Sequence, residues 1–189
     1  MESTKNRREQ AADPPRDPAP DALERAAQLL KASAQDKAAQ LFQQAYRAQL
    51  QGNLVEAIRL YRASIQAHPT AEAYTFLGWA YSFLGRYEEA IAECKNAIAA
   101  DPDFGNPYND IGSYLIQLGK WDEAIPWLER AMAAKRYEPR HFPHVNLGRV
   151  YWAKGDLLKA AREFGKALEI APRYLPARRA LAALSAQLN

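Results

Sequence analysis

Cysteine is almost absent from this chain, with Cys94 the single one. One thiol cannot form an internal disulfide, which fits a reducing compartment. Long apolar runs are missing too, and no stretch approaches the ~20 apolar residues of a membrane span. Charge of one sign does not accumulate: 25 basic and 22 acidic residues are mixed along the chain and leave a net +3. The basic block or stripe of a nucleic-acid or membrane-surface protein is therefore lacking. There is no glycine-rich phosphate loop, nucleophile elbow or paired-carboxylate motif. Strand-like alternation does not stand out after residue 20. The expectation left is a chain that is not an enzyme and that takes no cofactor, no metal, no nucleic acid and no membrane.

What is present is enough to fold. The 189 residues allow one ordinary domain or one short repeat array, and 48% of them are hydrophobic. Residues 1–20 read as a disordered tail, with Pro14, Pro15, Pro18 and Pro20 in a charged context. Its opening, Met1 to Glu9, is charged with no apolar stretch after it, so the expected compartment is the cytoplasm. Helix-forming sequence begins at Asp21, an N-cap candidate, and residues 21–37 form an N-terminal helix. That helix either covers the N-terminal end of the remaining chain or extends its first helix.

The rest is alanine-rich, with helical periodicity broken at regular intervals. Gly52, Gly85, Gly119 and Gly155 are separated by 33, 34 and 36 residues. An alanine follows five residues after each, at Ala57, Ala90, Ala124 and Ala160. A second series lies seven residues upstream: Gly78, Gly112 and Gly148, with Ala45 in that place in the first unit. The first series ends helices, where a left-handed residue is needed. The second lies inside helices, where glycine costs ~1 kcal/mol against alanine, so its recurrence implies close packing. Pro69, Pro102 and Pro172 stop the second helix of their units. A period near 34 with two helices per unit is the mark of a helical solenoid.

The pattern closely resembles the tetratricopeptide repeat. The second unit carries Tyr74, Leu77-Gly78, Tyr81, Ala90, Ala97 and Pro102, with Cys94 in an aromatic place. The fourth carries His144, Leu147-Gly148, Tyr151, Ala160, Phe164, Ala167 and Pro172, and the third Tyr108, Ile111-Gly112, Leu115, Ala124, Leu128 and Ala131. The first is degenerate: Leu41, Gln44-Ala45, Ala48, Ala57, Tyr61, Ser64 and Pro69. The resemblance implies an all-α, right-handed superhelix of antiparallel hairpins, with units at 38–70, 71–104, 105–140 and 141–174. Residues 175–189 form a cap helix, with Leu175, Ala177, Leu181, Leu184 and Leu188 on or near one stripe. Extra residues around Arg136 to Arg140 make a bulge between the third and fourth hairpins.

Members of this family bind partners on a concave face lined by first helices. The matching positions here are Phe42 and Tyr46; Thr75, Trp79 and Ser82; Asn106, Asn109, Asp110, Ser113 and Gln117; then Asn146, Arg149 and Trp152. Side-chain amides suit a peptide backbone, and the aromatics supply apolar area. Phe42 and Trp79 have a second reading, packing between adjacent hairpins. The basic clamp with which some members hold acidic tails is not matched. Its places fall on Phe42, Tyr46, Phe76, Asn106 and Asp110, or one unit on, on Thr75, Trp79, Asp110, Phe142 and Asn146. Asp110 would repel a carboxylate.

The remaining candidates have plainer readings. His141 and His144 lack further ligands, and His144 stands at a packing position. Cys94 reads as a buried core thiol, and Arg173, Arg178 and Arg179 as a solvated helix face. The functional expectation is a scaffold that binds a partner protein or peptide, as monomer or homodimer. The alternatives are a dedicated secretion-type chaperone dimerising through residues 21–34 and, last, an enzyme.

Overall fold

The computed structural model describes residues 20–188. They form nine α-helices and no strand: α1 Pro20–Leu50, α2 Leu54–Ala67, α3 Ala71–Phe83, α4 Tyr87–Ala100, α5 Asn106–Gln117, α6 Trp121–Ala133, α7 His141–Ala153, α8 Leu157–Ile170 and α9 Leu175–Leu188. The helices pair in sequence as four hairpins, α1/α2, α3/α4, α5/α6 and α7/α8, with α9 against α8. The odd-numbered first helices also touch one another, α1 with α3, α3 with α5 and α5 with α7. The result is an all-α repeat solenoid whose first helices lie side by side on one face.

The regular turns follow from backbone chemistry. Gly52, Gly85, Gly119 and Gly155 have φ of +77°, +72°, +71° and +78°. A Cβ at these positions would meet nothing, so it is the conformation and not the space that selects glycine. The residue after each glycine donates its backbone N–H back to the helix just ended, as from Asn53 to the Ala48 carbonyl at 2.9 Å. The same residue starts the next helix, and Asn53 and Asp156 cap it with their side chains.

The other glycine series answers to space. A Cβ on Gly148 would lie 2.7 Å from the Phe164 ring, and one on Gly112 2.5 Å from Leu128 Cδ2. Opposite them sit Ala57, Ala90, Ala124 and Ala160, all fully buried. The core therefore runs along the solenoid between first and second helices. It holds Tyr61, Leu77, Tyr81, Ile111 and Leu128, then Val150, Phe164 and Leu184.

Of the two readings of the stretch from Asp21, the second holds: it extends the first repeat helix as the first half of the 31-residue α1. Asp21 lies in the first turn of α1 instead of capping it. The cap helix α9 buries Ala177 and Leu184 on α8, but Leu175, at the first position of α9, stays more than half exposed. The tail expected over 1–20 lies outside the described residues, apart from Pro20.

The extra residues of the third unit are not a loose bulge. Arg136 donates its N–H to the Asp103 carbonyl (3.0 Å) and accepts from the Gly105 N–H (2.9 Å). Its guanidinium reaches Glu72 at 2.8 Å and Asp101 at 2.5 Å, and it stacks over Phe104. These contacts press Tyr137 into the groove beside α5, where Gly105 leaves room for it: a Cβ there would sit 2.4 Å from Tyr137 Cβ.

Candidate functional site

Three first helices and this strap enclose a cleft of about 410 Å³ on the first-helix face. Helix α3 contributes Thr75, Phe76 and Trp79, and α5 contributes Asn106, Asn109, Asp110 and Ser113. Tyr137 and Pro139 close one side, and α7 adds Phe142 and Asn146. The alternation comes from helical spacing: Asn106, Asn109 and Ser113 are three and four residues apart on one stripe of α5. The buried stripe of the same helix, Tyr108, Ile111 and Leu115, faces the core.

The floor is polar and internally linked. Asn146 Nδ2 donates to Asn109 Oδ1 at 3.0 Å, with both residues buried. Arg149 Nη1 donates in turn to Asn146 Oδ1 at 3.3 Å. This chain fixes the amides across the α5–α7 seam yet leaves donors and acceptors on each, because an amide offers two of both. Thr75 already donates its hydroxyl proton to the Ala71 carbonyl at 2.7 Å, so it can offer the cleft an acceptor but no donor.

Asp110 is the one acidic group of the floor. Burial raises its carboxyl to about 7, and the neighbouring Asn109 amide offsets only part of that. Among the described residues no lysine or arginine pairs with it. Its charge adds to burial in pushing up the Tyr137 and Tyr114 hydroxyls and the Cys94 thiol. Cys94 itself is fully buried against Gly78 on the far side of α3 and stays a thiol.

Seven of the predicted groove residues thus meet here: Thr75, Trp79, Asn106, Asn109, Asp110, Ser113 and Asn146. Six do not line the cleft, Ser82 and Gln117 among them. Phe42 turns into an aromatic cluster, edge-on to Tyr61 at 5.5 Å and to Phe76 at 5.1 Å, and borders a separate hollow between α1 and α2. Tyr46 packs edge-on to Phe76 at 5.6 Å. Trp152 packs against Phe164 at 6.2 Å. Arg149 is exposed and reaches the site only through Asn146. Trp79 packs on Phe76 and Phe83 of its own helix and still shows 39% of its surface in the cleft.

Phe76, Phe142, Tyr137 and Pro139 are the wall residues that groove spacing left out. The first two stood in clamp positions where a basic or amide residue was sought. The last two lie in the inserted stretch, whose only signal was the 36-residue interval. His144 is not paired with His141. Its Nδ1 lies 2.7 Å from Glu163 Oε2, a carboxyl held low by Lys166 and His144 despite burial. Among the described residues no cluster of ligating side chains could hold a metal ion.

The comparisons with known proteins agree with this fold. Residues 103–173 and residues 71–104 each match a tetratricopeptide repeat family model. The chain is a tetratricopeptide repeat protein. It is 26% identical over 133 residues to the BBSome complex member BBS4 of Bos taurus, covering 70% of this chain and 25% of that relative. The chain spans a quarter or less of the length of the curated relatives it matches. Among solved structures it resembles PilF of Pseudomonas aeruginosa, with TM-score 0.75 at 22% identity over 83% of this chain and 70% of that one. A thermophilic tetratricopeptide protein of Thermus thermophilus gives TM-score 0.68 at 24% identity over 86% and 92%. These likenesses are of fold. The tetratricopeptide fold is a protein-interaction scaffold, and among the described residues no helix is long and apolar enough to cross a membrane.

Proposed function

We propose that this protein binds an extended segment of a protein partner in the cleft between α3, α5 and α7, and that its role is binding without catalysis. The observation that carries this is the composition of the cleft. Linked amides on the floor, Asn109 and Asn146, stand between aromatic walls at Phe76, Trp79 and Phe142. Amides can pair with a peptide backbone of any sequence, and the aromatics supply desolvated contact area. The one thiol is sealed in the core, which leaves it unsuited to a nucleophile's work. The bovine relative's name as a member of a protein complex supports a scaffold role.

The test is affinity capture from the native host with the wild-type chain and with Asn109, Asn146 and Arg149 all replaced by alanine. The variant should stay helical and lose the captured partner. Full capture by the variant would show that the partner binds elsewhere.

A second reading is a dimeric chaperone of the secretion type. One observation favours it: the first half of α1 stands clear of the array, with Leu23, Leu29 and Leu30 all more than half exposed. Sedimentation of the full chain and of a Leu23→Gln, Leu29→Gln, Leu30→Gln variant decides between them. A monomer at all concentrations ends that reading.

A further inference from the structure

We infer that the partner segment places a basic side chain, lysine or arginine, on Asp110 in this cleft. The inference rests on the cleft being the binding site and adds what it selects. Two observations carry it. A carboxylate on the floor of a mostly aromatic cleft has no cation to pair with among the described residues. The nearest arginine of α7, Arg149, is turned to Asn146 instead. Even half-buried, a carboxylate without a partner carries a desolvation cost, so a site that keeps one is shaped for a charge arriving from outside.

The walls fit the rest of such a side chain. Phe76, Trp79 and Phe142 can cover its aliphatic stem, and ring faces favour a cation near them. The Tyr137 hydroxyl, in the strap that closes the cleft, is buried and has no hydrogen-bond partner among the described residues. It would accept from the same ammonium or guanidinium. The raised carboxyl of Asp110 points the same way, since an incoming cation returns it to the ionised form. An acidic segment would meet the opposite: like charge over a low-dielectric floor.

The experiment selects peptides of about a dozen residues from a displayed random library on the full-length chain. The binders are then measured on wild type and on Asp110→Asn, Trp79→Ala and an Asn109→Ala, Asn146→Ala double variant, each checked for unchanged helicity. The expected binders share one lysine or arginine. Replacing it by norleucine should weaken binding to wild type roughly thirtyfold, and should change binding to Asp110→Asn little. Binders that fail on Trp79→Ala and the double variant, yet hold Asp110→Asn as tightly as wild type, overturn this inference and leave the cleft as the binding site. Binders indifferent to every one of these variants, or a library with no binder, overturn both.

Discussion

The inner face of this solenoid is built in two ways. Between α1 and α3 it is filled: Phe42, Tyr46, Tyr61 and Phe76 meet at centroid distances of 5.1 to 6.1 Å, edge-on except for the tilted Tyr61–Phe76 pair. Between α3, α5 and α7 the corresponding positions carry Asn109, Asp110 and Asn146, and a cleft stays open. The backbone geometry of the hairpins is the same in both halves, with the same glycine turns. Side-chain size and polarity, together with the inserted strap that carries Tyr137 and Pro139, decide whether a first helix packs on its neighbour or leaves a space. One half of the face is therefore structural, and the other is available to a partner.

The largest effect should come from the filled half. Phe42→Ala removes a ring from the cluster, and thermal or urea unfolding should show a loss of about 2–4 kcal/mol. Peptides bound in the cleft should keep their affinity, since Phe42 does not line it. An equal loss of affinity and stability would show that the two halves are not separate. Gly112→Leu strikes the scaffold of the open half by forcing Leu128 aside. It should cost about 1–3 kcal/mol. The cleft floor is carried on the same helix, so here affinity should fall together with stability.

The sequence shows the scaffold more clearly than the site, and for a physical reason. A turn that needs φ near +75° and a helix crossing that excludes a Cβ each admit few residue types, so they recur visibly. A residue at a groove position has no such restriction. Phe42 and Asn109 hold comparable places on their first helices. Which one leaves a cavity depends on what the adjacent helix presents: Phe76 and Tyr61 in one case, Asn146 in the other. Trp152 turns instead to its own hairpin, where its ring settles on Phe164 of α8. Tyr137 was hidden altogether, because the strap that carries it follows no helical period and is placed by Arg136 bridging to Glu72 and Asp101.

Asp110 offers a sharper contrast between the halves, with a smaller effect. Its folded carboxyl, raised to about 7, holds its proton more tightly than the unfolded chain does. For this group the folded state is favoured at low pH, and that advantage is lost as pH rises from about 4 to about 7. Asp110→Asn should therefore be more stable than wild type above about pH 7.5. A gain of ~1–2 kcal/mol follows after discounting for its partial exposure. The two proteins should converge near about pH 4. Equal stability at high pH would mean that the carboxylate is not penalised in the cleft. The filled half has no such group, so Phe42→Ala should shift stability by a similar amount at both pH values.

The smallest effect is expected where α1 leaves the array. From Asp21 to Lys37 it is exposed almost throughout, and only Ala34 is half-buried among the side chains described there. An isolated helix of this length is marginal in water, so its order depends on being continuous with the packed half of α1. Leu29→Gln and Leu30→Gln should each change the stability of a monomer by no more than about 0.5 kcal/mol. Leu184→Ala at the other end, on fully buried α9 packing, should cost about 2–4 kcal/mol. The comparison has a built-in check on concentration. If the leucines are covered by a second copy, the glutamine variants lose stability in proportion to the dimer they disrupt, and the loss grows as the protein is concentrated. A loss that does not vary with concentration would instead place their contacts within one chain.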